Sequence, residues 1–573
     1  MSKSAPQVLV DAMMQGRISR RDFVKQAIAL GLSGPLIAAL AACGGSQTSP
    51  TATAGSSNAS TGSTTPSAGT AKRGGQFVFG AWQDPDTLDP HTTGLAATSR
   101  ILIHIYDPLV WKKPGEDKFY PGLAESWEIS PDGKEYTFHL RKDVKFHNGE
   151  EFTADAVKFS YDRIADPATK SLARSTLGPY SKTEVIDKNT VKVVFTAPYA
   201  PFLSYVAVSV SMRPVSPKAY KDLGNDINVH PVGTGPFMYK EYVKQDHFTM
   251  VKNPDYKWGA SFFSHQDAPY LDGILWKIIP EPATRVAALD NNEVMAIEEV
   301  QPQDVLRYQG KKDKYYIQTT GTPGQPRMIL INTAKPPTDD VAVRQACILA
   351  TDQDTIVNTL YKGVYKPSHS LMDPLTPDYA KDLDGYYKFD LAKAKQTLDT
   401  AGWIPGGDGI RAKNGQRLHI LFISNSANDF KSIAELMQGT YKQAGMEMEI
   451  TFESQPSVFS TYNKGPQNFA DFFFWSPDPD QLKATYDSKN IETGFNWSHF
   501  NNPDFDKLVE QGAAESDNQK RYDLYHQAQE ILWKQAASIP VQQKVALIVA
   551  QNKVKSVTFD ANAYPYYYDT SLA

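Results

Sequence analysis

The stretch that most constrains this chain is residues 121–164, PGLAESWEISPDGKEYTFHLRKDVKFHNGEEFTADAVKFSYDRI. Read physically, it is strand, turn, strand, turn, helix. Pro131-Asp132-Gly133 reverses the chain, because proline presets φ and glycine tolerates a positive φ. Residues 136–140 then alternate by face, as a half-buried strand does. Asn148-Gly149 makes a second tight reversal. Thr153 is placed to cap the next helix, Asp155 lies in its positive first turn, and Val157, Tyr161 and Ile164 share one face. The stretch alone specifies a small α+β module. At 573 residues the chain is too long for one core and suits two or three domains.

Residues 1–42 read as an export signal. Ser19-Arg20-Arg21-Asp22-Phe23-Val24-Lys25 resembles the twin-arginine motif, with Arg20 and Arg21 as its core. The apolar run at 27–42 is broken by Gly31, Gly34 and Pro35 and falls short of the ~20 residues of a membrane span. Leu40-Ala41-Ala42-Cys43 resembles a lipobox, which makes Cys43 the lipid attachment site. A short anchor helix is the bland alternative. The formal net charge is -5 and offers no basic footprint for nucleic acid. Removing 1–42 takes away Lys3, Arg17, Arg20, Arg21 and Lys25 against Asp11 and Asp22 alone, so the remainder is more acidic still. With Cys43 lipidated, Cys347 has no disulfide partner, and its apolar helical surroundings make it a buried small hydrophobe. Residues 43–71, rich in Ser, Thr and Gly, read as a flexible tether.

The strings P-x-L-A-x-S-W, S-x-D-G-x-x-Y-T-F-x-L-R-x-x-V-K-F and H-N-G-E-x-F-T-A-D-A-V-x-F-S resemble family 5 of the bacterial extracellular solute-binding proteins, the peptide and nickel type that serve ABC importers. Pro231-Val232-Gly233-Thr234-Gly235-Pro236-Phe237, Asp340-Val341-Ala342-Val343-Arg344-Gln345-Ala346 and Asn502-Pro503-Asp504-Phe505 extend the resemblance over the chain from Gly74 onward. The glycines at 233 and 235 read as an interdomain turn rather than a phosphate loop, because proline and strand-like sequence follow them. The resemblance implies an α/β, two-lobed periplasmic-binding-protein-like fold of type II with an extra α+β domain. It implies lobe I at 72–105, 230–322 and 545–573, the extra domain at 106–229, and lobe II at 323–544. Asp390 should cap a helix ending at Gly402, and Asn414-Gly415 should turn a hairpin.

No sequence signature of catalysis is present, whether G-x-S-x-G, H-E-x-x-H, C-x-x-C or a Walker-type loop, so no catalytic residue, cofactor or metal site is assigned. The resemblance implies a monomeric receptor that captures an oligopeptide-like solute, is held to the membrane by lipid, and works with permease and ATPase subunits. Ligand contacts are expected at Asp478 and Trp475, with Trp82, Tyr106, Trp497 and Asn496 as further cleft candidates. A peptide receptor needs a carboxylate for the ligand's ammonium and aromatics for sequence-tolerant contact. In peptide-binding relatives a W-x-x-D stretch supplies both, and Trp475 to Asp478 fits it. The other reading of Asp478 is a solvated residue in a capped turn, matching a later Asp-Pro pair. The alternatives on the same scaffold are an oligosaccharide receptor stacking sugars on Trp82, Trp475 and Trp497, or a metal-chelate receptor. A secreted hydrolase is the alternative from another class.

Overall fold

The computed structural model describes residues 71–174, 176–425 and 430–573, with side chains omitted at 455 and 456. Arg20, Arg21, Cys43 and the tether through residue 70 lie outside the described residues.

Residues 121–164 fold as their pattern dictates. Strands Ala124–Ile129 and Glu135–Leu140 pair antiparallel around a turn in which Gly133 takes φ +67° and its N–H donates to the Ser130 carbonyl at 2.8 Å. Tyr136, Phe138 and Leu140 point into the core while their neighbours are half-exposed. Helix Ala154–Ala165 buries Val157, Tyr161 and Ile164. Thr153 stands at the capping position, but its hydroxyl makes no capping bond. Backbone carbonyls serve instead: Lys188 accepts from Ala154 N–H, and Thr153 accepts through its own C=O from Ala156 N–H. Strands Thr190–Phe195 and Tyr180–Asp187 complete a four-stranded antiparallel sheet.

Two larger sheets carry the rest. The first has seven strands in the order Tyr315–Gly321, Val545–Gln551, Ala296–Glu298, Gln76–Ala81, Gly273–Ile278, His247–Lys252, Phe237–Val243. Its central trio is parallel. A parallel strand must be covered on both faces, and accordingly Phe77 and Phe79 enter one core while Val78 packs against another. The second sheet has five strands: Glu447–Glu453, His419–Asn425, Phe469–Trp475, Gly324–Ile331 and Ser538–Gln542. It too separates two cores, one around Phe422, Met437 and Tyr441 and one around Phe472, Tyr486 and Trp533. Cys347 is fully buried in the former, where burial pushes its thiol up to about 12. Asp390 caps helix Leu391–Thr400, and Asn414-Gly415, both with positive φ, turn a hairpin.

The four-stranded module has no separate core. One continuous apolar cluster runs from Phe77, Phe79 and Trp276 through Tyr106 to Phe138, Val157 and Phe202. At the join, backbones touch so closely that a Cβ on Gly233 would sit 2.0 Å from the Ile105 oxygen. That explains the glycine there without any phosphate.

The backbone passes between the two large sheets twice. Thr322-Pro323 links strand Tyr315–Gly321 to Gly324–Ile331, and Gln543-Lys544 links Ser538–Gln542 to Val545–Gln551. The crossings are tied together, since the Thr322 N–H and Oγ1 both donate to the Lys544 carbonyl at 3.2 Å. Gly324 beside them has φ +119°, and a Cβ there would lie 2.2 Å from the Phe474 oxygen.

Candidate functional site

Strand Phe469–Trp475 runs toward the crossings and ends in aromatics. Phe473 is 40% exposed although it sits in a strand whose first four residues are buried. Trp475, still in register with Gly324 in its own sheet, packs its side chain on the core of the first, its ring 5.4 Å from that of Tyr564 in a T-shaped contact. Edge-to-face pairs of this kind are favoured by the ring quadrupoles. The indole Nε1 of Trp475 is buried without a hydrogen-bond acceptor among the described residues.

Lys544 projects from the second crossing onto these rings. Its ammonium lies 4.2 Å from the Phe473 centroid and 5.0 Å from that of Trp475. Such cation–π contacts stabilise a charge only modestly. Among the described residues the amine has neither an ion pair nor a hydrogen bond. Burial, reinforced by the guanidinium of Arg327, pushes it down to about 7, with Glu299 pulling the other way.

On the first sheet's side, Arg100 is buried against Glu298 and reaches Glu299 at 3.4 Å. Its guanidinium also lies 5.8 Å from the Tyr564 ring. Burial pushes Glu298 up, while Glu299 is pulled below the usual carboxylate range by Arg100 and then Lys544 despite its crowded setting. Glu299 takes φ +49°, an uncommon conformation for a residue with a side chain. Arg285 braces that kink through the Glu298 and Glu299 carbonyls at 3.2 and 3.0 Å. The Glu299 side chain remains 47% exposed.

Asp478 has a different setting from either sequence reading. It is neither solvated nor open to an incoming ammonium: 2% exposed, it accepts from Arg521 Nη2 at 2.5 Å. Arg521 also reaches Asp378 at 3.6 Å. Asp378 and Asp480 are both pushed up to about 6, chiefly by burial. This cluster closes the seam against the four-stranded module, where Ala200 N–H donates to the Ala513 carbonyl at 2.9 Å.

The remaining candidates separate. Trp82, just beyond strand Gln76–Ala81, is half-buried, and its indole N–H has no hydrogen-bond partner among the described residues. Tyr106 is fully buried in the first core. Trp497 is 4% exposed, packed on Tyr462 and Phe472, and its Nε1 donates to Asn463. Asn496 is spent on a turn, donating to the carbonyls of Tyr486, Asp487 and Phe500. Of the six, the structure brings only Trp475 to the crossing. Sequence reasoning missed Phe473, Tyr564, Glu299 and Lys544. The available signals were the acidic pair closing apolar strand Ala296–Glu298 and the polar Gln542-Gln543-Lys544 between two apolar runs.

Among the described residues, no group of three or more His, Cys, Asp or Glu side chains is suited to a metal ion, and no helix is long and apolar enough to cross a membrane. Compared with known proteins, residues 118–496 match the model described as bacterial extracellular solute-binding proteins, family 5 middle. The dipeptide-binding protein of Escherichia coli is 30% identical, over 80% of this chain and 87% of the relative. Heme-binding protein A of Haemophilus influenzae is also 30% identical, over 82% of this chain and 87% of the relative. The crystal structure of NikA from Brucella suis in complex with Fe(III)-EDTA superposes with a TM-score of 0.79 at 28% identity, covering 87% of this chain and all of that one.

Proposed function

Because the chain belongs to family 5 of the bacterial extracellular solute-binding proteins, we propose that it is the receptor of an ABC importer and takes a peptide-like solute between its two sheet-built halves. Proteins of this family are non-enzymatic transport receptors, and this chain is one of them. The observation that supports the ligand reading is the meeting of Trp475 and Phe473 from one half with Tyr564 and Glu299 from the other around the crossing. Aromatic faces give wide, side-chain-tolerant contact, and flanking charges of both signs suit a zwitterion. A ligand touching both halves would favour the shut form through its extra contacts. The amino anchor is not assigned to Asp478, whose carboxylate already serves Arg521. The oligosaccharide alternative is weakened because Trp497, one of its three stacking rings, is buried.

Calorimetry and small-angle scattering with di- to pentapeptides test the reading. Saturable binding with compaction is expected. Binding of oligosaccharides, with no response to any peptide, would end it. The same proposal includes delivery to a membrane permease, export through Arg20 and Arg21, and lipid attachment at Cys43. Cys43→Ala should then release the protein from membranes, and lysine at both 20 and 21 should stop export. Unchanged membrane retention or normal secretion of these variants would remove those parts.

A further inference from the structure

We propose that Lys544 receives a carboxylate of the transported solute, so that the site selects ligands bearing a free acid group laid against Phe473 and Trp475. This inference rests on the receptor reading above and adds the chemical group recognised.

Geometry carries the argument. A lysine at an internal crossing normally finds a carboxylate, because an unanswered charge near low-dielectric surroundings is costly. Arg100, on the first sheet's side, is answered by Glu298 and Glu299. Lys544 is not answered: it rests on two aromatic faces, and no described side chain makes an ion pair with it. A carboxylate would offer the Lys544 ammonium the partner it lacks. Glu299 nearby sets a limit on ligand charge, since its negative field opposes a dianion such as phosphate more than a single carboxylate.

The main chain supports the same assignment. The Lys544 carbonyl is held by Thr322 of the other crossing, so the ammonium emerges from the point where the halves are joined. The groups facing the amine are Phe473 and Trp475 from the second sheet, and Arg327, Glu299 and Arg100 around it. The burial and guanidinium fields that hold the amine near 7 are offset when an anion arrives, so binding should draw in a proton at pH 8.

The test uses di- to pentapeptides, each as free acid and as C-terminal amide, together with glutarate and inorganic phosphate, against the wild type, Lys544→Gln and Lys544→Arg. Free acids should bind at least about tenfold tighter than their amides. Lys544→Gln should erase that ratio, and Lys544→Arg should restore part of it. Calorimetry at pH 8 in buffers of different ionisation enthalpy should register proton uptake in the wild type only. If acids and amides bind alike, the inference falls and the peptide receptor stands. If glutarate binds through Lys544 while no peptide does, the peptide reading falls and the carboxylate site stands. If phosphate outcompetes every carboxylate, or nothing binds in a Lys544-dependent way, the inference is overturned.

Discussion

Two places where the second half of the molecule meets the first are finished in opposite ways. At the seam with the four-stranded module, Asp478 is buried and its carboxylate is taken up by Arg521. At the crossing, only a few residues earlier along the same chain segment, Phe473 and Trp475 hold Lys544, which makes no ion pair among the described residues. A satisfied ion pair contributes to a specified shape and leaves nothing for a visitor. An unsatisfied charge on aromatic faces costs stability and retains a capacity to bind. The difference separates a structural contact from a recognition site more clearly than residue type does, since both places offer acids, bases and aromatics.

The comparison breaks most directly at the seam. Arg521→Met should destabilise the fold by about 3 kcal/mol, because it strands Asp478 in a buried position; chemical denaturation reads the loss, and Asp478→Asn in the same chain should recover much of it. Next in size is the response to pH, which has opposite signs at the two places. Asp378 and Asp480, pushed up to about 6, keep protons in the folded chain that the unfolded chain has released, so their contribution to stability falls as pH climbs from about 4 to about 6. Lys544, pushed down to about 7, gives up its proton in the folded chain first, so its contribution improves as pH rises from about 7 toward about 10. Each slope is at most about 1.4 kcal/mol per pH unit, less with solvent screening. Denaturation midpoints of the wild type, Asp480→Asn and Lys544→Gln across these windows should isolate them. Trp475→Ala should cost the shut form about 1 kcal/mol through the lost edge contact with Tyr564, visible as a larger scattering radius. Lys544→Gln should raise stability at pH 7, because it removes the cost of an amine held near 7 in the folded chain; a loss as large as that of Arg521→Met would erase the distinction.

Local features were legible because their causes are local. The turn at Gly133, the hairpin at Asn414-Gly415 and the Asp390 cap follow from φ preferences and from side chains reaching amides three residues away. The identity of the fold was legible because its repeated signature strings run the length of the described chain. The site was less so. Asp478 looked like a ligand contact or a solvent residue because Arg521, which claims it, sits on helix Asn518–Lys534, forty-three residues further on. Tyr106 and Trp497 could not be told from cleft aromatics, since only the sheet stacking decides which rings face inward. Lys544 was invisible for the same reason. Its meaning comes from strands 324–331 and 538–542 pairing across two hundred residues, which no periodicity announces.

The apolar cluster shared by the seven-stranded sheet and the four-stranded module has a mechanical corollary. The three largest sheets make only two bodies. Any swing about the tied crossings must carry the module along as a rigid extension of the first body, because sliding it separately would tear open aromatic packing from Phe77 to Phe202. A transport partner that senses how wide the receptor stands thus has a single angle to read.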